Sequence, residues 1–131
     1  MNLQGFHKDK STKLNLDFIA NEYCEWIESR PFDIGMNTTT ALLPLTDDCR
    51  ANVSMEQSAL RNQGSMSNGS MMRCTPMAVY SSALLDQEDV RKAVLSDVAL
   101  THPNKFVQEA ILLYVKAIHF LLNNPEDEDR A

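Results

Sequence analysis

The stretch PNKFVQEAILLYVKAIHFLLN, residues 103–123, is the strongest indication of the fold in this sequence. Its apolar residues recur every three or four positions, which is the spacing of one face of an α-helix. We therefore predict a long helix from Pro103 to Asn123 that packs by one apolar face. The residues predicted to form that face are Phe106, Ala110, Leu113, Tyr114, Ala117, Ile118 and Leu121.

Helical spacing also recurs upstream, and no segment has the alternating pattern of a β-strand. Capping signals indicate where several helices start, namely Asn15, Asp86 and a capping box at Ser54 and Gln57. The predicted segments are Leu16–Glu28, Asn37–Asn52 with a break at Pro44, Ser54–Gly64, Thr75–Leu84 and Gln87–Leu100. The predicted fold class is therefore all-α, a compact multi-helix domain.

Length and charge narrow the possible roles of the chain. Its 131 residues suit a single domain, predicted over residues 1–131 with flexible ends at 1–14 and 124–131. A formal net charge of −6 argues against a nucleic-acid partner. No segment has the roughly 18 apolar residues of a membrane span, and the polar N-terminus has no signal-peptide core. We thus expect no membrane and a cytoplasmic location.

The cysteines Cys24, Cys49 and Cys74 are widely separated. They form no C-x-x-C pair and have no histidine at the spacing of a zinc ligand, which argues against a disulfide framework or a zinc site. Free thiols persist in reducing compartments, so this pattern also favours the cytoplasm.

The segment GSMSNGS, Gly64–Ser70, is a small, polar loop between two predicted helices. Such a loop exposes main-chain N–H groups and lets a ligand approach the main chain closely. A helix N-terminus after the loop would add a favourable field for an anion. From composition alone the loop is more simply a plain turn between helices, and it is also compatible with a phosphate or sugar site.

Residues 64–77, GSMSNGSMMRCTPM, resemble the N-G-x-x-M-R-x-x-P-L segment of the ADP-ribosylglycohydrolase family. Three other segments agree with that family in order and spacing. They are Tyr23-x-x-Trp26 followed by Pro31–Gly35 and Thr38–Leu42, the D-x-x-L-T-H-P segment at 97–103, and the Y-x-x-A-I helix at 114–118. Together these motifs cover about residues 16–122, so nearly the whole chain is similar to this family.

The resemblance implies an all-α fold that hydrolyses the bond between ADP-ribose and a protein side chain or a small acceptor. Family members use two magnesium ions to orient the ribose and activate water. The positions that match ADP-ribose-binding residues are Gly64, Ser65, Met66 and His102, and those that match loop-bracing residues are Asn68, Gly69 and Arg73. The implied partner is ADP-ribose or an ADP-ribosylated protein.

Three of these positions carry further expectations. His102 precedes Pro103 at a helix start, so without the resemblance it could equally be a buried or capping histidine. Arg73 is expected to be an internal brace, ion-paired beneath the loop. An alanine at Gly64 would strain the main chain if that residue is left-handed.

The family's metal motifs are missing from the positions where the resemblance would place them. T-D-D-T should precede the Tyr23 helix and G-D-x-D-T should follow the last helix. Thr46–Cys49, TDDC, imitates the first motif but lies downstream and ends in cysteine, so we interpret it as a loop. No residue is therefore assigned as catalytic or as a magnesium ligand.

These departures predict an incomplete domain that is inactive alone. It would be a truncated product, a part that a complementing chain completes, or a degenerate remnant. Missing helices would leave apolar faces bare on Leu16–Glu28 or Pro103–Asn123. The alternative function is a non-catalytic ADP-ribose-binding or structural helical module.

Overall fold

In a computed structural model that describes residues 14–43 and 48–126, the chain forms seven helices and no strand. The helices are α1 (Leu16–Glu28), α2 (Met36–Leu42), α3 (Ala51–Asn62), α4 (Gly69–Arg73), α5 (Thr75–Ser82), α6 (Gln87–Ala99) and α7 (Lys105–Asn123). The all-α prediction is confirmed, and α4 is an additional short helix that begins within the segment interpreted as a loop, Gly64–Ser70. The predicted flexible ends fall mostly outside the described residues.

Side-chain caps begin three of these helices. The Asn15 side chain accepts a hydrogen bond from the Phe18 N–H at 3.0 Å, and Asp86 caps α6 in the same way. These two caps confirm the predicted starts of α1 and α6. Helix α7 is capped by Asn104, so it starts slightly later than the predicted Pro103.

Helix α3 begins at Ala51, earlier than the predicted start at Ser54. The Ala51 N–H is capped from another helix, because the Asp17 carboxylate of α1 accepts its hydrogen bond at 2.8 Å. Ser54 lies fully buried inside α3, where its hydroxyl donates to the Leu100 carbonyl at 2.8 Å. The capping-box prediction is wrong, since a tertiary contact replaces the local cap.

Two apolar clusters hold the helices together. One joins α5, α6 and α7, and the other joins α1, α2 and α3. Ile19 of α1 packs against both clusters, and Leu100, at the end of α6, is buried in the second. The turn between α6 and α7 is therefore anchored next to Thr101 and His102, both of which are buried.

Helix α7 has two apolar faces, and the one predicted to face inward is largely exposed. The buried residues are Val107, Ile111, Leu112 and Val115, with Ile118 partly buried beside them. In the predicted face, Phe106 is 69% exposed and Leu113 is 68% exposed. The prediction of that face is wrong, because two apolar stripes on one helix share the same spacing. A helix that is apolar on both sides suits the interior of a larger protein.

By length and composition alone, α7 is also apolar enough to cross a membrane, with a mean hydropathy of 1.3. The sequence pattern, in contrast, predicts no membrane span in this chain. A helix that packs on two sides inside a protein has the same composition. One side of α7 already packs here against α5 and α6.

A disulfide between Cys24 and Cys49 links α1 to the residues just before α3, with 6.3 Å between the two Cα atoms. The prediction that these cysteines are unpaired is therefore wrong. Helix packing brings them together across 25 positions of sequence, a separation that carries no local signal. Cys74 is a buried free thiol. The cytoplasmic location loses the support of the cysteine pattern and stays a prediction.

Candidate functional site

The site loop, residues 64–68, follows α3 and is tied to distant parts of the chain. Asn62, at the end of α3, is buried, and its side-chain amide donates to the main-chain carbonyls of Asn37 at 2.8 Å and Thr101 at 3.0 Å. Its own carbonyl accepts the Ser65 N–H at 2.9 Å. One buried amide thus connects the loop to α2 and to the α6–α7 turn.

Asn37 of α2 holds the loop a second time, through its side chain. Its amide donates to the Ser65 hydroxyl and, at 3.0 Å, to the Ser67 hydroxyl. The Ser67 N–H donates to Ser65 Oγ at 3.3 Å. Between the two serines, Met66 is 66% exposed, and its main-chain N–H has no acceptor among the described residues. The loop therefore places two serine hydroxyls beside a main-chain N–H that has no acceptor among the described residues.

His102 supports the loop from below and is only 1% exposed. Its Nε2 lies 2.9 Å from Ser67 Oγ, and its Nδ1 lies 2.7 Å from Thr101 Oγ1. Burial, and secondarily the positive charge of Arg73, lower the pKa of His102 to about 4. The imidazole is therefore neutral at pH 7.

Arg73 lies beneath His102 in a buried polar cluster with Asp97, Tyr23 and Thr101. Its guanidinium donates to Asp97 Oδ2 at 2.6 Å, to the Tyr23 hydroxyl at 2.8 Å and to Thr101 Oγ1 at 2.8 Å. The Tyr23 hydroxyl in turn donates to Asp97 Oδ1 at 3.0 Å. Charge-assisted bonds of this kind are stronger than neutral ones, so the cluster fixes Thr101 under the imidazole.

The same contacts determine how this cluster ionises. Burial disfavours the charged form of Arg73, but the adjacent Asp97 carboxylate and Tyr23 outweigh it and raise the Arg73 pKa. Burial raises the pKa of Tyr23, and Arg73 only partly offsets this. Arg73 therefore remains a cation and Tyr23 a neutral donor at pH 7.

The two glycines of the site differ in what surrounds them. Gly64 is not left-handed, and a Cβ added there would meet nothing within 4 Å, so the strain expected at Gly64 is absent. A Cβ at Gly69 would lie 3.2 Å from two ring atoms of His102 and 3.5 Å from Thr38 Oγ1. Gly69 is therefore the glycine whose missing side chain makes room for the imidazole.

Replacing Gly69 with alanine is expected to lower the free energy of unfolding by about 1 kcal/mol, because the pinned His102 ring must move. Urea unfolding of the variant against the wild type measures this loss. Gly64→Ala is the matched control and should leave stability unchanged or slightly raised. Equal losses at the two glycines would mean that the Gly69–His102 contact is not tight.

The predicted site residues differ in the contacts that they make. Ser65 and His102 are linked through Asn37 and Ser67, and Arg73 is linked to His102 through Thr101. Asn68 is exposed at the N-cap position of α4, where its side chain makes no capping hydrogen bond. A direct contact between His102 and a ligand stays a prediction, since both ring nitrogens have protein partners here.

Sequence reasoning missed Asn37, Ser67, Thr101, Asp97 and Tyr23 as polar partners of the site, although all but Asn37 lie within the motifs quoted for the resemblance.

The described residues do not fit a magnesium site. Magnesium prefers carboxylate and water oxygens, and no group of three or more His, Cys, Asp or Glu within residues 14–43 and 48–126 could hold a metal ion. Asp97 is already engaged by Arg73, and Asp48 pairs with Arg50 at 2.6 Å. Thr46 and Asp47 lie outside the described residues.

Comparison with known proteins agrees with the sequence resemblance. Residues 3–131 match the family model described as ADP-ribosylglycohydrolase. The chain is 36% identical over 102 residues to a protein of Acanthamoeba polyphaga mimivirus that is named an ADP-ribosyl glycohydrolase, covering 73% of this chain and 29% of that protein. It is 28% identical over 114 residues to the ADP-ribosyl-(dinitrogen reductase) glycohydrolase of Rhodospirillum rubrum, covering 83% of this chain and 34% of that protein. The chain thus spans about a third of the length of the curated relatives it matches. No solved structure matches it.

Proposed function

Because the chain belongs to the ADP-ribosylglycohydrolase family, we propose that it forms the nucleotide-side wall of a site for ADP-ribose or an ADP-ribosylated protein. The proposed contacts are those of Gly64, Ser65 and Met66 with the diphosphate, above His102 and the Arg73 cluster. By family, the reaction served is hydrolysis of the bond between ADP-ribose and its acceptor.

One observation carries this proposal: the site loop contains a main-chain N–H without an acceptor among the described residues, flanked by two serine hydroxyls, and residues 64–68 include no carboxylate. The Met66 N–H is without an acceptor among the described residues, and the hydroxyls of Ser65 and Ser67 flank it. No carboxylate takes part in the hydrogen bonds of this loop within the described residues. A diphosphate only accepts hydrogen bonds and carries negative charge, so such a surface suits it.

Hydrolysis needs carboxylates that the described residues do not bring to the loop. We propose that they come from segments outside residues 1–131, in the same polypeptide or in a complementing chain. Two observations support this. The relatives are about three times longer than the part that aligns. The exposed stripe of α7, with Phe106 and Leu113, is an apolar face of the kind that further helices would cover.

Titration of the 15N-labelled chain with ADP-ribose is expected to shift the amide signals of residues 64–68. Binding should be weak, because only one wall of the site is present. Adenosine, which has no phosphates, should shift these signals much less. Shifts elsewhere in the chain, or none at millimolar ADP-ribose, would contradict the proposed site.

Turnover separates this proposal from the alternative of a non-catalytic ADP-ribose-binding module. The 131-residue chain alone should not release ADP-ribose from an ADP-ribosylated protein, with or without magnesium. Activity that appears when the remaining family segments are supplied would favour the catalytic role. Binding that persists while activity never appears would favour the binding module. Magnesium-dependent turnover by the chain alone would overturn the assignment of the carboxylates to other segments.

A further inference from the structure

We infer that Asn37 and His102 set the polarity of two side chains in the site loop, so that the hydroxyls of Ser65 and Ser67 can act only as hydrogen-bond donors toward a ligand. Both would be positioning residues, because they act through the serines. The consequence for ligand selection rests on the proposed function, namely that a diphosphate binds at this loop. The hydrogen-bond pattern itself is independent of any ligand.

The first half of the pattern comes from Asn37. A side-chain amide nitrogen has two hydrogens, and those of Asn37 point to the hydroxyl oxygens of Ser65 and Ser67. A serine hydroxyl has two acceptor positions and one hydrogen. The acceptor positions of Ser65 are filled by Asn37 and by the Ser67 N–H. The Ser65 hydroxyl therefore can only donate its hydrogen to a ligand.

The second half comes from the tautomer of His102, which the Arg73 cluster determines. A guanidinium only donates, so Thr101 Oγ1 must accept its hydrogen bond from Arg73. The Thr101 hydroxyl is buried, so its one hydrogen needs an acceptor, and the other partner of Oγ1 among the described residues is Nδ1 of His102 at 2.7 Å. Nδ1 is thus an acceptor, and the neutral ring carries its hydrogen on Nε2.

The Nε2–H of His102 points at Ser67 Oγ, 2.9 Å away. Together with the Asn37 amide, it fills both acceptor positions of Ser67. A chain of bonds therefore runs from Arg73 through Thr101 and His102 to Ser67. Its effect is to leave the Ser67 hydrogen as the group available to a ligand.

The two saturated hydroxyl oxygens favour a ligand that accepts hydrogen bonds from these side chains. Phosphate oxygens accept from both hydroxyls, whereas an ammonium group, which needs acceptors, finds none on these two hydroxyls. In this arrangement His102 contributes to binding while it stays buried. The direct contact of His102 with the ligand, expected from the resemblance, is then not required.

The tautomer can be measured directly on the wild-type 131-residue chain. We expect the 15N signals of the His102 ring at pH 7 to show an unprotonated Nδ1 and a protonated Nε2. A ring with its hydrogen on Nδ1 would overturn the inference, because Ser67 would then have to donate to His102. This measurement needs no ligand and no substitution, so it decides the point even if a variant fails to fold.

Binding of ADP-ribose and of inorganic pyrophosphate tests the selectivity. Asn37→Asp replaces the two donated hydrogens with acceptors that engage the serine hydrogens, and both ligands should bind about tenfold more weakly or worse. Met36→Asp is the control, because it adds the same charge to the same turn of α2 without touching the serines. It should change affinity much less. Equal weakening by the two variants would overturn the role of Asn37.

Ser67 provides a matched pair of variants. Ser67→Ala removes the hydroxyl hydrogen and should weaken pyrophosphate binding about tenfold, whereas Ser67→Thr keeps it and should restore most of the affinity. Unchanged affinity in Ser67→Ala would overturn the inference. If the wild type binds neither ligand, the proposed function fails, and the His102 tautomer still decides whether the Ser67 hydroxyl has the inferred polarity.

Discussion

Replacing Asp97 with alanine is expected to destabilise the fold by about 3–5 kcal/mol, the largest effect of any single change considered. The carboxylate is 1% exposed and accepts from both Arg73 and Tyr23. Without it, the guanidinium would remain charged and buried with its main partner gone. Urea unfolding monitored by circular dichroism measures the loss as a lower midpoint at an unchanged slope.

The exposed ion pair between Arg91 and Glu109 is the natural control. Glu109→Ala removes a carboxylate from an arginine at the surface, where solvent replaces it, and should change stability little. Asp97→Asn should fall between the two, since an amide can still accept from Arg73 but carries no charge. A loss in Asp97→Ala no larger than in Glu109→Ala would mean that Arg73 finds other partners.

The sequence predicts the helices best where a local cap marks the start. Asn15 and Asp86 cap their own helices, and the starts of α1 and α6 agree with prediction. The start of α3 does not, because its cap is Asp17 from another helix. A capping rule considers only residues close in sequence, so it cannot detect a carboxylate that comes from another helix.

Helix α7 shows a second limit of prediction from sequence. Its spacing predicts a helix correctly, yet Leu113 of the predicted inward face lies mostly exposed, while Val107 and Val115 are buried. When a helix is apolar on both sides, periodicity gives the element but not the side that packs.

The candidate site is only partly predictable from sequence, because some of its residues are far apart along the chain. The composition of residues 64–70 marks a loop that a ligand could approach, and the structure places that loop above His102. The side chains that orient it come from far away, with Asn37 lying 28 positions before Ser65. No local spacing encodes such a contact. The Arg73–Asp97 pair is similar, since only the tertiary fold brings these two charges, 24 positions apart in sequence, together.

The burial of His102 should also make the stability of the chain depend on pH. An unfolded chain takes up a proton on this histidine near pH 6.5, whereas the folded chain does so only near pH 4. Between these values the unfolded state binds more protons, so the stabilisation present above pH 6.5 is lost as the pH falls. The expected loss from this group between pH 7 and pH 4 is about 3 kcal/mol.

Urea unfolding at a series of pH values, for the wild type and for His102→Gln, isolates this contribution. The glutamine variant should be less stable at pH 7 but lose less on acidification, because only the remaining titratable groups contribute to its slope. The difference between the two profiles should develop between pH 6.5 and pH 4. Parallel profiles would mean that the folded chain protonates His102 as readily as the unfolded one. Burial and the nearby charge of Arg73 would then not disfavour the protonated imidazole in the folded chain.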